Sequence, residues 1–132
     1  MNAPGKRWLA FAREDLRVAE LSLDDELYNQ VCFHAQQCIE KVLKGLLTHY
    51  KKTVPRTHAI GELLAVLPEK WFDDLQNELL KMDNYYIPTR YPDALPGTLP
   101  EGLPGKKEAV EALAVARQIF DQAEHFLETD AF

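Results

Sequence analysis

Between Asn29 and Lys52 the chain runs without a proline, NQVCFHAQQCIEKVLKGLLTHYKK, and its apolar residues return every three or four positions. That spacing predicts an α-helix of about seven turns. Starting slightly earlier, Tyr28, Val31, Cys32, Ala35, Cys38, Ile39, Val42, Leu43 and Leu46 share one broad face, wide enough to touch several neighbours. This helix is therefore expected at the centre of the protein. Its other side carries Gln37, Lys41, Lys44 and Thr48 as a polar stripe, yet Phe33 projects there too, near Gln37, Glu40 and Lys44. A ring in that setting is either a lone exposed aromatic, which globular surfaces tolerate, or part of a second packing surface, most simply a self-associating one.

The same periodicity marks four further helices. The first runs from about Lys6 to Leu23, with Trp8, Ala12, Leu16, Ala19 and Leu23 inward and Leu9 and Phe11 at the margins. Asp15 falls on that inward side, so its carboxylate either reaches solvent at the rim or takes a hydrogen-bonding or cationic partner, most simply an arginine of another element. Asp24 or Asp25 is placed to cap the central helix. Thr57 is placed to cap a short helix from His58 to about Leu67, with Ile60, Leu63, Leu64 and Leu67 as core candidates. A fourth helix is expected from Glu69 to about Tyr86, burying Trp71, Phe72, Leu75, Leu79, Met82 and Tyr86. The fifth, Lys106 to Glu128, carries Ala109, Ala112, Leu113, Ala116, Ile119, Phe120, Ala123 and Leu127 in one stripe. Between the last two, prolines at 88, 92, 96, 100 and 104 forbid a stable helix, which leaves a loop over residues 87–105 that reads as a functional cover or a mobile segment. No strand alternation occurs, so the fold class is all-α: an up-and-down antiparallel bundle of about five helices in a single domain, 1–132.

Composition narrows the function classes. With 132 residues and 46% hydrophobic residues the chain suits one globular domain, and no apolar run approaches the roughly twenty residues that a bilayer span requires. The N-terminal stretch meets Glu14 and Asp15 before any apolar run develops, so it is not read as a secretory signal, and a cytoplasmic protein is expected. A net charge of −6 argues against coating bulk duplex DNA, though a local basic patch could still hold a nucleotide or short RNA. Cys32 and Cys38 lie on one helix, too far apart for a disulfide and without metal-ligand spacing, so both are read as buried thiols. No arrangement of acidic, histidine and cysteine residues resembles a zinc or iron site, and no cofactor is expected.

The runs WLAFAREDLRVAELSL (8–23), CFHAQQCIEKVLKGLL (32–47), PRTHAIGELL (55–64) and YYIPTRYPD (85–93) together resemble the HEPN domain family, the higher eukaryote and prokaryote nucleotide-binding domains. The similarity covers nearly the whole chain in order. It implies a helical bundle, commonly a homodimer, associated with nucleotide or RNA binding and often paired with a small nucleotidyltransferase in a toxin–antitoxin-like system. The nuclease-competent branch carries an Arg followed by His after four to six residues, and this sequence departs from that pattern. Arg56 has only Thr57 before His58, Arg90 has no nearby downstream His, and Arg117 and His125 are separated by seven residues.

Metal-free RNA cleavage needs a base for the 2′-hydroxyl proton and a cation for the phosphorane charge. His58 and Arg90 are the weak catalytic candidates that the fold would have to bring together. Arg90 lies among aromatic residues between Pro88 and Pro92, so its guanidinium either contacts phosphate or base beside Tyr86 and Tyr91 or forms a structural salt bridge, with Asp15 or Asp93 as partners. Arg56, His58, Gln37, Lys41 and Lys44 complete the candidate ligand-binding set, and Phe33 the candidate interface. His58 reads equally as a capping or solvent-facing histidine, His34 as a satisfied semi-buried one, and the stripe as a solvated face. The expected function is a nucleotide- or RNA-binding interaction module; the alternatives are a ribonuclease toxin with a rearranged Arg/His pair and a ligand-free structural dimer.

Overall fold

The apolar periods expected as the first, central and last helices each close into a long helix. The computed structural model describes residues 3–68, 70–85 and 103–129. Helix α1 spans Ala3–Asp24, α2 Tyr28–His49, α3 Ile60–Val66, α4 Gln76–Lys81 and α5 Lys106–Thr129, with 3₁₀ turns at Asp73–Leu75 and Met82–Tyr85. Helix α1 lies along α2, α5 packs against both, and α3 and the Met82–Tyr85 turn cover the remaining side of α2. The result is an all-α bundle, without strands among the described residues.

Helix α2 is central because no residue along it is exposed. Val31, Cys32, Ala35, Cys38, Ile39, Val42, Leu43, Leu46 and Leu47 are fully buried, and the stripe on α5 from Ala109 to Leu127 closes over them. The stripe expected to be solvated is covered: Lys44 is buried, and Gln37, Lys41 and Thr48 are half-buried. Gly45 lets α1 approach, since a Cβ there would sit 3.1 Å from the Trp8 Cβ. Only glycine leaves that contact unstrained.

The helix ends differ from the sequence expectation, and the hydrogen bonds explain why. Helix α2 stops at His49, not Lys52, because Lys51 turns left-handed and Lys52 N–H donates back to Leu47 O while Lys51 N–H donates to Thr48 O. The same reciprocal closure ends α1, with Glu26 left-handed, Leu27 N–H on Ser22 O and Glu26 N–H on Leu23 O. Asp24 and Asp25 therefore belong to the end of α1, and the residue at the start of α2 is Leu27, with no side-chain cap. Helix α3 begins at Ile60, not His58. Thr57 Oγ1 accepts from Ala59 N–H, and the first α3 amides are capped from another element: Asp83 accepts from Ile60 N–H at 2.7 Å and Gly61 N–H at 3.3 Å.

The single fourth helix expected over Glu69–Tyr86 does not form. Phe72 is left-handed (φ 61°) and its ring is buried, while Trp71 meets Phe126 of α5 edge-on at 4.7 Å. A turn that seats both rings replaces the helix start, and a short α4 follows it. Tyr85 is buried in this segment; Tyr86, the residue expected there, and nearly all of the 87–105 loop lie outside the described residues.

Candidate functional site

Two buried carboxylates organise the polar face of α2. Asp15 projects from the inward side of α1 and is 8% exposed. Its Oδ1 lies 2.9 Å from His34 Nδ1 and its Oδ2 accepts from Lys41 Nζ at 2.5 Å. Among the described residues the cation for Asp15 is Lys41 of α2, because α1 and α2 run side by side. Glu40 repeats the arrangement from α2 itself. It accepts from Lys44 Nζ at 3.0 Å, one helical turn on, and its two oxygens lie 3.1 and 3.3 Å from His58 Nδ1. The Lys44 ammonium also lies over the Trp8 ring, 5.5 Å from its centroid.

Amides join these groups to the chain before α3. The fully buried Gln36 donates to the His58 backbone oxygen at 2.9 Å and accepts from Gln37 Nε2 at 2.6 Å. Against an ionised carboxylate, the Nδ1 of each histidine must carry the hydrogen. The outer nitrogen of each neutral ring is then an acceptor. His58 remains open to water, with 53% of its side chain exposed, whereas His34 keeps 25%.

Of the residues singled out in the sequence, His58, Gln37, Lys41 and Lys44 therefore belong to one connected face. Arg56 is exposed two residues before His58. Arg90, Tyr91 and Tyr86 lie outside the described residues. Phe33 is half-buried, with its ring edge-on to His34 at 5.3 Å. Arg117 is engaged elsewhere, since both Nε and an Nη donate to Glu20 of α1. Glu40 and His34 join the face although sequence reasoning does not single them out for it. The only trace of Glu40 is its i,i+4 spacing to Lys44, which does not distinguish a buried pair from a solvated one.

The family model for the HEPN domain matches residues 6–126. The chain belongs to the HEPN domain family. This HEPN chain is 27% identical to a Methanocaldococcus jannaschii protein named "Putative toxin MJ1304", over 92% of this chain and 87% of that one. Its fold is similar to the crystal structure of TT1696 from Thermus thermophilus, with a TM-score of 0.75 and 40% identity over 92% of this chain and 96% of the other. It is also similar to ST0689, described as an archaeal HEPN homologue, with a TM-score of 0.72 and 30% identity over 92% and 95% of the two chains.

Both cysteines of this HEPN domain are sealed in the core. Burial pushes the Cys32 thiol up to about 12, against a hydrogen bond with Tyr85 that pulls it down, and burial raises Cys38 as well. Reaction with a disulfide reagent needs thiolate. At pH 8 the native protein should therefore leave both cysteines unlabelled, and both should react once urea unfolds it. Rapid labelling of the native state would show that the core opens at α2. Among the described residues no three metal-ligating side chains converge, and no helix is long and apolar enough to cross a membrane.

Proposed function

We propose that this HEPN domain binds a nucleotide or RNA on the polar face of α2, acts as a homodimer, and pairs with a small nucleotidyltransferase in a toxin–antitoxin-like system. The observation that carries the binding reading is the pair of Asp15–His34–Lys41 and Glu40–His58–Lys44 clusters on one helix face. Membership of the HEPN family and similarity to a protein named as a toxin support the rest. The half-buried Phe33 beside His34 puts an apolar ring next to the same face, where a second copy would find both a packing surface and polar partners. Gentle purification of the native protein, with mass spectrometry of whatever protein and nucleotide accompany it, tests this directly. Recovery of a nucleotidyltransferase and a bound nucleotide is the expected result; an empty homodimer would count against both.

One observation favours a second reading, metal-independent RNA cleavage. The buried Glu40 holds His58 by Nδ1, so the outer nitrogen of the exposed ring is the one able to accept a proton. If overexpression of the wild type arrests growth and His58→Ala relieves the arrest, that reading gains; if the variant arrests growth equally, a nuclease based on His58 is excluded.

A further inference from the structure

The lysines that spacing alone would assign to phosphate are committed elsewhere. Lys41 lies against Asp15 and Lys44 against Glu40, so each ammonium of the α2 face is matched by a buried carboxylate. The unmatched cations sit on the connection that leaves α2. From His49 to His58 the chain reads HYKKTVPRTH, with Lys51, Lys52 and Arg56 and no acidic residue, in a protein whose net charge is −6. All three are exposed, and among the described residues none of them meets a carboxylate. This strap is pinned along its length. At its start Lys51 N–H donates to Thr48 O and Lys52 N–H to Leu47 O, and in its middle Val54 packs on the hydrophobic core. At its end Thr57 Oγ1 accepts from Ala59 N–H, and the buried Gln36 donates to His58 O. A backbone ordered in advance loses little further freedom when a ligand settles on it.

We propose that Lys51, Lys52 and Arg56 are the phosphate-contacting residues of this protein and that they hold the phosphodiester backbone of single-stranded RNA beside the α2 face. The assignment rests on the nucleotide- or RNA-binding reading above and deepens it by naming where the charge comes from. The dipole of α2 favours cations just past its C-terminus, which by itself would account for Lys51 and Lys52. That effect fades within a turn and does not reach Arg56, four residues beyond Lys52. Four residues span up to about 14 Å of extended chain, so the cations form a row. A row of cations on a fixed backbone suits a string of singly charged phosphates better than one compact anion. The net negative charge elsewhere keeps bulk duplex away, while a local basic strap is enough for a short single strand.

The test is the salt dependence of the affinity of the full chain for a short dye-labelled oligouridylate, followed by fluorescence anisotropy. Each phosphate neutralised on a single strand adds about 0.7 to the slope of log affinity against log salt. The Lys51→Gln/Lys52→Gln/Arg56→Gln variant should therefore bind at least about tenfold more weakly at low salt, with a slope smaller by about 2. Lys52→Gln and Arg56→Gln alone should each give about a third of that change, with circular dichroism confirming that every variant folds. Lys81→Gln/Lys106→Gln/Lys107→Gln removes the same charge from exposed positions on α4 and α5 and should keep the wild-type slope. A strap variant with wild-type affinity and slope, or a control that loses as much as the strap variant, would overturn the proposal while leaving the binding reading intact. Displacement of the oligomer by an equal concentration of ATP would point to a free nucleotide on the strap and overturn the RNA contact. Absence of binding by the wild type at low salt would overturn both.

Discussion

Replacing Glu40 with alanine is expected to destabilise the protein by about 3–5 kcal/mol, the usual range for removing one partner of a buried ion pair. The Glu40 side chain is 4% exposed and its Lys44 partner 11%, so truncation leaves an ammonium group in the core with little access to water. It also removes the anchor of His58. The measurement is the urea midpoint at constant slope. A double variant, Glu40→Ala/Lys44→Met, should recover most of the loss, because it removes the stranded charge as well as its partner. A loss below about 1 kcal/mol in the single variant would mean that Lys44 swings out to solvent, and the closed geometry of the face would have to be abandoned.

Phe120→Ala should cost a similar amount, about 3–5 kcal/mol, for a different reason. Phe120 is among the largest fully buried side chains, and the guanidinium of Arg13 lies over its ring, 4.9 Å from the centroid. Arg13 also pairs with Glu124, so the ring sits beneath a seam that ties α1 to α5. Truncation opens a cavity and removes the surface on which Arg13 rests. Phe11→Ala is the contrast: Phe11 is 52% exposed, and its loss should change stability by about 0.5 kcal/mol or less. Equal denaturation midpoints for the two variants would contradict the position of Phe120 in the core.

Much of this architecture is legible in the amino-acid sequence. The inward stripe of α5 and the apolar face of α2 can be read residue by residue, since a helix repeats every 3.6 positions and periodicity records which side is dry. The anomaly at Asp15 is visible too, as a carboxylate on an inward face. Its partners are not. Lys41 and His34 lie on another helix, and their approach to Asp15 depends on how α1 packs along α2, close at Gly45. Likewise, the Asp83 cap on α3 joins residues 22 and 23 positions apart, beyond the reach of any local capping rule.

The amino-acid sequence by itself determined the long helices α1, α2 and α5, their inward faces and the family, because each follows from short-range spacing or from residues matched in order. Tertiary structure decided where helices end and what the polar residues do. Phe72 takes a left-handed conformation that helix propensity disfavours, a local cost offset by burying its ring. Lys41 and Lys44 occupy positions that a solvated face would also use, and packing alone turns them toward Asp15 and Glu40. Hydrophobic period is a property of one segment, whereas the partner of a charge is set by the crossing of two.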